Sequence, residues 1–168
     1  MSTTIPSTPN QTFNNKNFIS YNIFKNKPKI ILKKNTILDY IVNTPELSNF
    51  YYLLKLSNLE NRYNDPKSNY TLFLTENKDL NYNLDKISKN YAIDIINFST
   101  LPTELNKYLL KTCQNSTLTT LNNINTLSLI TLNNTNILDE RSIIIKYDIK
   151  KLGGTIHYIN KLLLPYQI

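Results

Sequence analysis

Apolar side chains fall into two regimes along this chain, helical spacing first and strict alternation later. Ile37, Leu38 and Ile41 share one helical face. Thr44-Pro45-Glu46 reads as a helix start, with Thr44 as N-cap and Pro45 in the first turn, where its missing N–H costs nothing. Leu47, Phe50, Tyr51 and Leu54 follow at i, i+3, i+4 and i+7, the spacing of a buried helical stripe. Asn64-Asp65-Pro66 predicts a turn, and Tyr70-Thr71-Leu72-Phe73-Leu74 a short strand. A helix over about 84–98 would bury Ile87, Tyr91, Ile95 and Phe98. Pro102 would open another, carrying Leu105, Leu109 and Leu110. From Thr117 onward the period becomes two, with strands expected over 126–131, 142–147 and 155–161. Helices followed by strands predict an α+β fold.

Residues 1–35 carry no sustained period and three of the 7 prolines, so they read as an extended N-terminal arm, leaving 36–168 as the domain. Within the arm, Phe18-Ile19-Ser20-Tyr21-Asn22-Ile23-Phe24 alternates and could add a strand to a sheet edge. Charge sharpens this division. The chain of 168 residues has a net charge of +7, and Lys16, Lys25, Lys27, Lys29, Lys33 and Lys34 all precede the first acid, Asp39. The arm is therefore strongly basic and the body nearly neutral. Such an arm suits an acidic protein surface; a membrane or nucleic acid is the weaker alternative. The apolar patch and the lysines around it, with Phe18, Tyr21 and Phe24, are the candidate partner-binding residues.

Composition adds little chemistry. Hydrophobic residues at 40% and charged residues at 18% indicate a folded chain. Roughly one residue in six is Asn, and Ile, Lys and Tyr are also abundant, the signature of an A+T-rich gene. The single Cys, Cys113, excludes an internal disulfide, and the single His, His157, excludes a His-rich metal site. His157 alternates onto the strand face of Ile159, where a packed, hydrogen-bonded role is expected. Gly153-Gly154 reads as a turn between strands, because no helix bearing Lys-Ser/Thr follows it. Asp139-Glu140 is too few oxygens for a calcium loop. No catalytic residue, cofactor or metal is expected.

The stretch Gly153-Gly154-Thr155-Ile156-His157-Tyr158-Ile159-Asn160-Lys161-Leu162-Leu163-Leu164-Pro165 resembles the C-terminal conserved box of fasciclin-like domains. Tyr70-Thr71-Leu72-Phe73-Leu74-Thr75-Glu76-Asn77 resembles the first box, keeping Phe73 and Asn77 but carrying Thr75 where the family has proline. Thr36-Ile37-Leu38-Asp39 and the run from Leu53 to Leu59 match the opening helices. The resemblance spans about residues 36–165. It implies N-terminal helices packed on a twisted β-sandwich or wedge of short strands, and a non-enzymatic protein–protein interaction module. The family's middle Tyr-His motif falls on Ile93-Asp94 and is absent. Asp148-Ile149 matches an Asp-Ile pair linked in some members to receptor binding, which makes both residues candidates. The N-terminus has no charged segment followed by an apolar run, so the expectation is a chain made in the cytosol without a signal peptide. Basic arm, adhesion-type domain and A+T-rich composition together suggest a minor structural protein of a large DNA virus particle, partnered by other proteins of that assembly. A secreted or cell-surface adhesion domain is the alternative.

Overall fold

Thr36 caps the first long-range packed helix of the body. In the computed structural model, which describes residues 24–166, its Oγ1 accepts the Asp39 N–H at 3.2 Å. Asp39 returns a bond by accepting the Asn35 N–H on its carboxylate at 2.8 Å. This reciprocal cap satisfies two N–H groups that a helix start leaves unpaired, and it opens helix α1, Ile37–Val42. A 3-10 turn, Pro45–Leu47, leads into helix α2, Ser48–Ser57. Thr44 precedes that turn as expected, but its hydroxyl donates backward to the Tyr40 carbonyl and does not cap it. Asn58 ends α2 in the left-handed region, with φ of 58°. The one-turn helix α3, Glu60–Tyr63, follows.

The expected helix over 84–98 is split. A 3-10 turn covers Leu84–Lys86, and helix α4, Lys89–Phe98, starts afresh where the Ser88 hydroxyl accepts the Tyr91 N–H. Pro102 opens no helix. It lies in a bend, and the following helix α5, Lys107–Thr112, is capped by the Asn106 side chain on the Leu109 N–H. An Asx cap supplies the acceptor that a proline cannot.

Seven strands form one sheet among the described residues: β1 Tyr70–Thr75, β2 Thr100–Leu101, β3 Ser116–Leu118, β4 Leu127–Leu132, β5 Thr135–Leu138, β6 Ser142–Lys151 and β7 Gly154–Ile159. Their order is β2-β1-β7-β6-β5-β4-β3. β1 and β7 are parallel and in full register from Tyr70↔Gly154 to Thr75↔Ile159; their other neighbours are antiparallel. β5 meets β6 through only two pairs, Ile137↔Ile143 and Leu138↔Ser142, and there the sheet turns over on itself.

The consequence is two cores separated by β1 and β7. On one face Leu72, Leu74, Ile156 and Tyr158 pack against α1, α2 and α4. On the other, Phe73 and Ile159 pack against Leu127, Leu129 and Leu138 of the folded-over strands, with Phe98 and Leu110. A strand pair covered on both faces must be apolar at successive positions, which is why neither β1 nor β7 alternates in burial. The β6–β7 corner uses both glycines of the chain. Gly153 and Gly154 have φ of 96° and 149°, and a Cβ on Gly154 would stand 1.9 Å from the Tyr70 carbonyl oxygen. The fold is α+β, helices on a doubled-over sheet.

Candidate interaction surface

Residues 24–33 of the arm lie along the helical side of the body. Phe24 sets its ring edge-on to Tyr52, centroids 5.7 Å apart, beneath the Lys55 ammonium at 4.8 Å. Three residues on, Lys27 Nζ donates to the Glu60 carboxylate and to the Lys55 carbonyl, each at 2.6 Å. Glu60 is only 3% exposed, so this is a nearly buried ion pair. Burial pushes the Lys55 ammonium below its ordinary 10.5; Glu60 pulls it back and Lys27 adds to the depression. Asn64 then reads the extended chain as a strand edge would: its amide N–H donates to the Ile31 carbonyl, and its oxygen accepts the Lys33 N–H, both at 2.9 Å. Ile30 and Leu32 pack on the helical core. A cleft of about 280 Å³ remains between Pro28, Lys29, Tyr51 and Lys55.

This docking divides the candidate lysines. Lys27 is spent on the body. Lys25, Lys29, Lys33 and Lys34 remain exposed. Phe24 serves as an internal anchor. Lys16, Phe18 and Tyr21, with most of the strand-like patch, lie outside the described residues.

Asp148 and Ile149 sit on β6, beside β7. The register of β6 shifts between Lys146 and Ile149, and Asp148 takes φ of 60° in that irregularity. Its carboxylate accepts the Lys107 N–H at the start of α5, at 2.8 Å, and Ile149 packs on the helical core. Asp148 thus has a structural task in holding α5 to β6. The Asp148 backbone N–H donates to His157 Nδ1 at 3.1 Å. His157 Nε2 pairs with the Leu105 carbonyl at 2.7 Å, so that nitrogen carries the proton and the ring is neutral. Burial holds the imidazole below its ordinary 6.5, against the Leu105 carbonyl and the Asp148 carboxylate, which favour the charged form. His157 is fully buried between Phe73 and Tyr147, packed and hydrogen-bonded as the alternation implied. Cys113 is half-buried beside the second core.

Among the described residues no group of three or more His, Cys, Asp or Glu is placed to hold a metal, and no helix is long and apolar enough to cross a membrane. The sequence pattern of the Fasciclin domain matches residues 45–165. The chain belongs to the fasciclin domain family. A solved FAS1 domain pair from the insect cell adhesion molecule fasciclin I shares the fold, with a TM-score of 0.64 at 19% identity. The match covers 78% of this chain and 51% of that one, so the chain spans about half the length of the insect pair. No curated protein sequence matches it. The fasciclin match begins at residue 45, so the arm and its Lys27 anchor precede the matched region.

The groove residues Tyr52, Lys55, Glu60 and Asn64 had no signal in the sequence. Glu60 opens and Asn64 ends a helix of four residues, too short to show a period.

Proposed function

We propose that this fasciclin domain is a non-enzymatic interaction module in a large assembly, concretely a minor structural protein in the particle of a large DNA virus. The observation that carries the reading is the docked arm. Phe24 and Lys27 fix it to the body, while Lys25, Lys29, Lys33 and Lys34 stand exposed around that anchor. A basic ridge held in place loses less conformational freedom on binding than a loose tail, and its charges steer an acidic neighbour. The A+T-rich composition supports the viral setting. Fractionating purified particles tests it. The chain should co-sediment with intact particles at constant stoichiometry and leave them as salt rises; recovery only in particle-free fractions contradicts the reading.

A second reading is an adhesion domain at a cell surface, favoured by the likeness to a domain pair from a cell adhesion molecule. Labelling intact cells with a membrane-impermeant amine reagent separates the two. Labelled exposed lysines on intact cells support adhesion, and labelling only after lysis supports the internal assembly.

A further inference from the structure

We infer that the ridge formed by residues 29–34 and the β6–β7 corner docks on the surface of an anionic lipid bilayer, with Ile31 and Leu152 entering its headgroup layer. The inference goes beyond the assembly reading and shares with it only Lys29, Lys33 and Lys34.

The ridge sets aliphatic tips among cations. Ile31 is 87% exposed and Leu152 47% exposed. Along the arm Lys29, Ile31 and Lys33 are exposed, while Ile30 and Leu32 between them pack on the helical core. Asn64 and Thr36 gather the rest. Asn64 binds the Ile31 carbonyl and the Lys33 N–H, and the Thr36 hydroxyl donates to the Lys33 carbonyl at 2.8 Å. Thr36 bridges in turn to Leu152, whose N–H donates to the Asn35 carbonyl at 2.8 Å. Ile31 and Leu152, far apart in sequence, are thus tied to one hydrogen-bonded junction that also carries Lys33 and Lys34. Lys151 adjoins Leu152, its ammonium 4.9 Å from the centre of the Tyr40 ring. Two carboxylates border the ridge. Asp39 accepts the Asn35 N–H and the Asn43 amide, and Asp65 accepts the Lys67 N–H. Lys29, Lys33, Lys34 and Lys151 outnumber them, so the ridge is basic.

Charge sets the sign of the partner, and the aliphatic tips set its kind. An acidic protein would need a pocket shaped for each tip, within an interface of about 800 Å² per partner. A bilayer takes in an aliphatic tip of any shape, while lysines beside it reach the lipid phosphates. The backbone suits that boundary. The Ile31 carbonyl and the Lys33 and Leu152 N–H groups are already hydrogen-bonded within the protein, so leaving water does not orphan them. Phe24 and Lys27 hold the arm in place beforehand, so docking orders little new chain. Two tips and a few cations give reversible, peripheral attachment.

The test uses purified full-length chain and vesicles of phosphatidylcholine with or without phosphatidylserine. The unaltered chain should float with phosphatidylserine vesicles, be released as salt rises, and ignore phosphatidylcholine alone. Failure to float overturns the inference. Ile31→Ser and Leu152→Ser should each weaken binding roughly tenfold at an unchanged melting transition. Lys33→Gln and Lys34→Gln should each weaken it about fivefold and flatten its salt dependence. Binding that falls with the lysines but not with the two serine variants marks a surface read by charge alone, as an acidic protein or nucleic acid would read it, and also overturns the inference. Depth is a second readout. The chain has no Trp, so Ile31→Trp introduces its only indole. On phosphatidylserine vesicles its emission should shift to the blue and be quenched by brominated acyl chains. Ile124→Trp, at a position 70% exposed between β3 and β4, should show neither. No quenching at position 31, or equal quenching at both, contradicts insertion of the ridge. Particle fractionation judges the assembly reading and vesicle binding judges this one, so either can fail without the other.

Discussion

His157 is the residue whose surroundings define its role most fully. Alternation along β7 assigned it to the face of Ile159, and that face proved to be the second core. What the sequence could not show were its partners, the Leu105 carbonyl and the Asp148 N–H, which come from distant segments. Replacing it with Phe keeps the packing and strands both groups; each buried unpaired group costs about 1–3 kcal/mol, to be read from denaturant unfolding. His157→Gln should lose less, since an amide can offer both a donor and an acceptor. The pH dependence has a definite sign. The folded-state value lies below 6.5, so as pH falls through 6.5 the unfolded chain takes up its proton first and stability declines toward the folded-state value. Lys150 and Thr155 hold the Glu104 carboxyl below its ordinary 4.5, which adds a second decline below that pH. His157→Gln should flatten the first decline and leave the second. Unchanged slopes across both ranges would deny His157 this role. Gly154 is equally constrained. Gly154→Ala places a methyl against the Tyr70 backbone and should cost more than about 4 kcal/mol, seen as loss of a cooperative melting transition.

Among the elements, those with a long apolar period were legible and those set by turn chemistry were not. The stripes of α2 and α4 followed from spacing, β4, β6 and β7 from the change to short alternating runs, and β1 from its short apolar run before a turn. β5 was hidden because the Asn-rich composition masked a hairpin: Asn133 and Asn134 have φ of 49° and 62°, the two-residue turn that joins β4 to β5. Asn35, Asn58 and Asn115 are also left-handed. In a chain with 2 Gly, asparagine takes over the turn positions that glycine usually fills. The docking of residues 24–33 was not legible, since it depends on Glu60 and Asn64 meeting them in space. Lys27→Met should leave Glu60 nearly buried without its cation and cost about 1–3 kcal/mol in urea unfolding. Lys29→Met, at an exposed position, should cost within about 0.5 kcal/mol. Equal effects of the two would mean that Lys27 does not anchor the arm.

At the scale of the whole molecule, the fold joins segments far apart in sequence through the parallel β1–β7 pair, with a core on each side. The α+β class was legible because helical and alternating regions are separated along the chain. The doubling of the sheet was not, since it depends on a two-pair junction between β5 and β6. The arm, pinned at Phe24 and Lys27, lies on the helical side and carries charge the body lacks. The proposed association would rest on the exposed Lys25, Lys29, Lys33 and Lys34, separately from the anchoring role of Lys27. The most direct test replaces those four lysines with Gln in the full chain and measures its retention in purified particles across a salt series. The expected result is an unchanged melting transition, retention reduced at low salt, and a flattened salt dependence. A variant retained as well as the unaltered chain, with the same salt dependence, would contradict it.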